Sequence, residues 1–155
     1  MSNFKQGIFT PQNKKKYIGD ANKIVYRSGW EKRVMHWMDR SKNILKWGSE
    51  ELIIPYFYEG DGKSHRYFPD FLIEYRDGKG QIKRMIIEVK PFKETLEPKP
   101  PKRMTAKGKR RFLTEILTWK KNQNKWESAT AYAKKNGMEF KVMTEYDIYG
   151  KKGKV

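Results

Sequence analysis

Two β-rich runs joined by a tight turn occupy the middle of the chain. The first is Tyr67-Phe68-Pro69-Asp70-Phe71-Leu72-Ile73-Glu74-Tyr75 and the second is Gln81-Ile82-Lys83-Arg84-Met85-Ile86-Ile87-Glu88-Val89-Lys90-Pro91. Between them lies Arg76-Asp77-Gly78-Lys79-Gly80. Runs of β-branched and aromatic residues flanking an Asp-Gly pair predict a hairpin. A turn centred near Gly78 and Lys79 pairs positions whose numbers sum to about 157 or 158, so Asp70 falls opposite Ile87 or Glu88. Strand side chains alternate faces, which puts Glu88 and Lys90 on one face and Ile87 and Val89 on the other. If Asp70 meets Glu88, two carboxylates face each other across the ladder. That arrangement destabilises a sheet unless a cation sits between them, and a divalent metal is the obvious candidate. The competing reading is an ordinary half-exposed strand with Glu88 and Lys90 in solvent.

The chain has 155 residues, the size of one domain with a real core. Lysine plus arginine outnumber aspartate plus glutamate 35 to 18, for a net charge of +17. So strong a positive field points to nucleic acid as the partner. There is no cysteine, which excludes disulfides and thiolate metal sites. With only His36 and His65 as imidazoles, zinc is disfavoured, and carboxylates suit magnesium or manganese. No apolar run approaches the about 20 residues that span a bilayer, and no apolar leader opens the chain, so the expectation is a soluble protein inside a cell or a particle.

In order, residues 1–21 are polar and basic, include Lys14-Lys15-Lys16, and predict an arm that either frays or tracks phosphates. Ser28-Gly29-Trp30-Glu31 has capping-box spacing, and Trp30, Val34, Trp37 and Met38 follow at helical intervals, predicting a helix to about Arg40. On that evidence Glu31 is a capping residue. Residues 43–47 and 52–58 read as strands, and Glu59-Gly60-Asp61-Gly62-Lys63 as a turn into the central hairpin, giving an antiparallel meander. The tyrosines and tryptophans of this stretch read as core or interface residues with no chemical assignment. Residues 92–108 mix Pro98, Pro100 and Pro101 with Lys93, Lys99, Lys102, Arg103 and Lys107, predicting an extended basic connection, either a solvated linker or a clamp on a DNA backbone. Phe112, Ile116, Trp119, Trp126, Ala129 and Ala133 keep helical spacing that continues or breaks at Asn122-Gln123-Asn124. Gly137 ends that helix, residues 138–143 form a last strand, and 149–155 are a basic tail.

Pro69-Asp70 followed by Glu88-Val89-Lys90 matches the PD-(D/E)xK pattern of restriction-endonuclease-like nucleases, with Glu31 upstream completing it. Tyr26-Arg27-Ser28-Gly29-Trp30-Glu31, Trp47-Gly48-Ser49-Glu50, Tyr67-Phe68-Pro69-Asp70-Phe71 and Ile87-Glu88-Val89-Lys90-Pro91 occur in that order. This set resembles the head-completion nucleases of large contractile-tailed phages, which are similar to the N-terminal endonuclease domain of a Tn7-type transposition protein. The resemblance implies an α/β fold with a restriction-endonuclease-like core: a central mixed β-sheet flanked by helices in α-β-β-β-α-β order, over residues 22–148 of a single 1–155 nuclease domain. It further implies a Mg²⁺-dependent endodeoxyribonuclease, with Mn²⁺ substituting. Asp70, Glu88 and the Val89 carbonyl would hold the metal, Glu31 would ligate it directly or through water, and Lys90 would orient or activate the attacking water. In-line attack would leave 5′-phosphate and 3′-hydroxyl ends. Arg27, Lys99, Lys102, Arg103 and Lys125 are candidate phosphate contacts on sequence-nonspecific DNA. The implied setting is the host cytoplasm during assembly, next to phage head or portal and neck proteins, with retention in the particle left open. The rival readings are a non-catalytic DNA-binding head protein and a transposition or recombination nuclease that needs a partner.

Overall fold

The computed structural model describes residues 6–150. Its first long element is helix α1 (Gly29–Arg40), which starts where the sequence sets a cap: the Glu31 N–H donates to Ser28 Oγ at 3.1 Å. Val34, Met35 and Met38 recur on one face of α1 and are buried. At its other end the Lys16 ammonium donates to the carbonyls of Asp39 and Ser41 at 2.9 and 2.8 Å. A cation there satisfies otherwise unpaired carbonyls and complements the helix dipole.

Lys16 therefore belongs to the scaffold, and residues 6–21 are not the free arm their composition suggested. Strand β1 (Gly7–Ile8) pairs antiparallel with β2 (Val25–Tyr26). Phe9 and Tyr17 are buried against Trp47, and burying a side chain of Phe size stabilises by about 1.5–3 kcal/mol. Buried Asp39 accepts the N–H groups of Gln12 and Asn13 at 2.8 and 3.1 Å. Residues 1–5 of the expected arm lie outside the described residues.

The main sheet contains β3 (Ile44–Ser49), β6 (Phe71–Arg76), β7 (Ile82–Val89) and β8 (Glu139–Met143) in the order β3-β6-β7-β8. The first two pairings are antiparallel and β7–β8 is parallel, so the sheet is mixed. Strands β4 (Ile54–Tyr58) and β5 (Lys63–Tyr67) form their own two-stranded sheet. The expected continuous meander is thus corrected: β3 skips the β4–β5 hairpin to pair with β6. Phe68-Pro69-Asp70 interrupts the run between β5 and β6, at a proline that has no N–H to give a ladder.

Helix α2 (Ala106–Lys135) runs unbroken for 30 residues through Asn122-Gln123-Asn124. It is capped by Thr105, whose Oγ1 accepts the Gly108 N–H at 3.0 Å, and it is followed by Gly137 in the left-handed region at φ +69°. The connection from 92 is more structured than expected, with a 3₁₀ turn over Phe92–Thr95 and α2 already begun at Ala106. A short helix α3 (Glu145–Tyr149), unexpected from the sequence, starts at a capping box of Thr144 and Asp147 and occupies the first residue of the expected tail. Residues 151–155 of that tail lie outside the described residues.

With β4–β5 as an insertion, α1-β3-β6-β7-α2-β8 is the α-β-β-β-α-β order of a restriction-endonuclease-like α/β fold. Alternation along β7 divides the core. Ile87 packs with Phe71, Ile73, Met35 and Met38 on the α1 face. Ile86 packs with Trp126, Ala129, Tyr56 and Tyr67 on the α2 face. Glu88 follows the parity of Ile86, so its side chain is delivered to the α2 face at the end of the strand.

Candidate active site

The hairpin register decides where the acids meet. Phe71 pairs with Ile87 and Leu72 with Ile86; continuing that register by one residue brings Asp70 opposite Glu88. Asp70 Oδ2 accepts the Val89 N–H at 2.8 Å, which pins the carboxylate to the end of β7. Glu88 is 8% exposed, accepts the Tyr67 hydroxyl on Oε1 at 2.6 Å, and has Oε2 at 3.9 Å from the Lys90 ammonium. Glu88 and Lys90 thus share a face, as alternation requires.

Electrostatics mark the cluster as short of positive charge. Burial holds the Asp70 carboxyl well above its usual range, and the neighbouring Glu88 and Glu31 carboxylates add to that, while the Val89 N–H and Lys90 oppose it. The Glu88 carboxyl is pushed up by burial and drawn back by the Tyr67 hydroxyl, Lys90 and Lys125. Glu31, at the start of α1, is also raised by burial, against the Arg27 N–H that donates to its Oε1 at 3.2 Å, the Arg27 charge and Lys90. Its carboxylate reaches the backbone of Arg27, one residue before the expected capping-box partner, so Ser28 caps the helix while Glu31 faces the acids. From α2, Lys125 lies over the rings of Tyr67 and Tyr56, at 5.6 and 5.9 Å from their centroids. Burial lowers its pKa, and the Glu88 carboxylate opposes that shift.

Among the described residues, no three His, Asp or Glu side chains form a ready metal cage. The donor set is still of the kind that hard cations take: two in-register carboxylates, a third acid whose charge acts on Asp70, and no imidazole or thiolate. Carboxylates that repel one another in a buried setting are groups whose ionised form a divalent ion would favour.

Comparison with known proteins follows the same residues. The family model of the TnsA-like endonuclease N-terminal domain matches residues 41–145. The head completion nuclease of Enterobacteria phage T4 is 45% identical over 139 residues, covering 90% of each chain. The chain belongs to the TnsA-like endonuclease N-terminal family. No solved structure matches.

For this endonuclease the nuclease reading of the PD-(D/E)xK pattern is borne out at the level of family. Asp70, Glu88, Val89 and Lys90 fall inside the matched region, and Glu31 lies before it. Of the candidate phosphate contacts, Lys125 lies by Glu88 and Arg27 by Glu31. Arg27 is ion-paired with Glu50. Lys99, Lys102 and Arg103 are exposed on the connection to α2, outside any ion pair among the described residues. Tyr67 carries no chemical assignment in the sequence, where it reads as a core or interface residue. It is indeed buried, at 4% exposure, yet its hydroxyl is spent on Glu88. The available signal was a phenol three residues ahead of Asp70, since a buried tyrosine needs a partner for its O–H. Among the described residues no helix is long and apolar enough to cross a membrane.

Proposed function

We propose that this endonuclease hydrolyses DNA phosphodiester bonds in phage head completion, and that it does so with Mg²⁺, for which Mn²⁺ substitutes. The observation that carries the reading is the in-register Asp70–Glu88 pair at the end of β7, with Lys90 at 3.9 Å on the same face. Asp70, Glu88 and the Val89 carbonyl would hold the ion, with Glu31 as a direct or water-linked ligand. When bound, such an ion neutralises the scissile phosphate and makes water a better nucleophile at neutral pH.

The remaining work falls to the chain. The Val89 N–H fixes Asp70, and the Tyr67 hydroxyl fixes Glu88 and favours its ionised form. Lys90 donates to the attacking water or to a non-bridging phosphate oxygen, where charge grows in the transition state. Lys125 holds the scissile phosphate from the opposite wall. DNA is bound through phosphates with little preference for sequence, in keeping with the net charge of +17. The T4 relative is named for head completion, and on this reading the chain acts in the host cytoplasm during assembly, beside head or portal surfaces.

The test is incubation of the purified full chain with supercoiled, linear and branched DNA, in Mg²⁺ and in EDTA. Parent protein cuts in Mg²⁺ alone, and Asp70→Asn does not cut. Equal cutting in EDTA removes the metal from the reading. DNA binding with no cutting under any condition leaves a structural head component.

A further inference from the structure

Helix α2 contains far more than the site requires. Its buried residues are Asn122, Trp126, Ala129 and Ala133, all in the C-terminal half, so the half from Ala106 to Lys121 projects without a fully buried side chain. This projecting half is strongly basic. Lys107, Lys109, Arg110 and Arg111 are exposed, and none forms an ion pair among the described residues.

Basic side chains at a helix N-terminus sit at the positive end of the dipole, which is unfavourable. The other two helices follow the rule, with Glu31 in the first turn of α1 and Glu145 and Asp147 in that of α3; the first turn of α2 has no acid. Stability does not explain these charges.

Their phase does. At 3.6 residues per turn, Lys107 and Lys125 lie five whole turns apart on one line of the helix. Between them Arg111, Thr114, Thr118 and Lys121 fill the same stripe at alternating steps of four and three, and no acid interrupts it. One end of the stripe is the lysine that faces Glu88. Thr114 and Thr118, the middle of the stripe, line a groove of about 500 Å³ against residues 93–99 together with Glu94, Glu97, Glu115, Lys93 and Lys99, so the charge there is near balance and the basic ends of the stripe are the better ground for phosphate.

We infer that this stripe is a phosphate-tracking rail for duplex DNA, aligned with the cleavage site and resting on the nuclease reading above. Along the axis Arg111 is about 21 Å and Lys107 about 27 Å from Lys125. At 3.4 Å per base pair, these residues grip the backbone about six to eight base pairs to one side of the cut.

The experiment uses full-length Lys107→Ala/Arg111→Ala and, as a control of equal charge, Lys134→Ala/Lys135→Ala, which changes two exposed lysines at the far end of α2. Binding to a 24-base-pair duplex is measured by fluorescence anisotropy in EDTA over a salt series, so the result does not depend on cleavage. The stripe variant should lower the slope of log K against log salt by about 1.8, because each lost phosphate contact removes about 0.9. The control should keep the parent slope. The stripe variant should also melt no lower than the parent, since alanine favours helix and the dipole conflict is relieved. In Mg²⁺, parent cleavage of an end-labelled linear duplex should fall off within about six base pairs of an end on one side; the stripe variant should lose this one-sidedness. An unchanged slope in the stripe variant, or an equal drop in both variants, overturns the rail. A parent that binds with the expected slope but never cuts overturns the nuclease reading and leaves the rail standing.

Discussion

Tyr67→Phe isolates one hydrogen bond at the heart of the proposed chemistry. The substitution keeps the ring, with its edge contact to Tyr56 at 6.4 Å and Lys125 at 5.6 Å above it, and deletes the hydroxyl that donates to Glu88 at 2.6 Å. A hydrogen bond to a charged group contributes about 1.5–3 kcal/mol, which is about ten- to a hundredfold in the ratio of ionised to protonated carboxyl. The donor favours the charged form, so its loss raises a Glu88 pKa that burial has already raised. At a given pH on the acid limb less Glu88 is ionised, and cleavage should fall by about ten- to a hundredfold. The acid limb should move to higher pH, and the deficit should shrink on the alkaline side. Single-turnover cleavage of supercoiled DNA at saturating Mg²⁺, across the pH range, measures this, with a thermal melt to confirm folding. An acid limb that stays put, or a loss equal at every pH, would refute the assigned role of the phenol.

Three further outcomes are expected. Lys90→Ala leaves both carboxylates, so Mn²⁺ should still titrate onto the protein by calorimetry while turnover falls by about a hundredfold or more, the scale of one lost transition-state donor. Glu31→Gln keeps an acceptor for the Arg27 N–H and should melt near the parent yet cut poorly; parental cutting would return Glu31 to a purely local role at the helix start. For Asp70 the folded pKa lies above the unfolded one because of burial and Glu88, so the metal-free parent loses stability as pH rises from below the unfolded value through the folded one. Asp70→Asn lacks that loss and keeps an acceptor for the Val89 N–H. In EDTA at neutral pH it should melt a few degrees higher, at about 2–4 °C per kcal/mol for this size. The gain should vanish in acid, and a gain independent of pH would contradict the linkage.

The site acids were legible because their placement depends on local rules. The Asp77-Gly78 turn sets the β6–β7 register, and alternation then fixes the faces of Glu88 and Lys90. Ser28 likewise announces α1. What periodicity cannot encode is which strands meet: β3 ends next to β4 in sequence but pairs with β6, a choice made by the packing of Trp47 and Phe71 on the α1 face. Phe9 and Tyr17 sit in a polar, basic stretch with no sustained period, and they are buried against Trp47, which is distant in sequence. The run from Ala106 to Gly108 reads as linker by composition yet is helix, because Thr105 caps it and no proline follows Pro101. The Thr144-x-x-Asp147 signal for α3 was present, but so short a helix leaves no period to detect.

The break at Phe68-Pro69-Asp70 has a consequence for when the molecule can act. Tyr67 ends the small sheet and Asp70 precedes a strand of the large one, yet both reach the last two residues of β7, one at the Glu88 carboxylate and one at the Val89 amide. A chain whose four-stranded sheet has closed without the β4–β5 hairpin docked on α2 holds Asp70 in place but leaves Glu88 without its phenol. On the proposed chemistry such a chain is a poor nuclease. On that chemistry cutting power depends on the β4–β5 hairpin as well as on the four-stranded sheet, although the hairpin contributes neither acid.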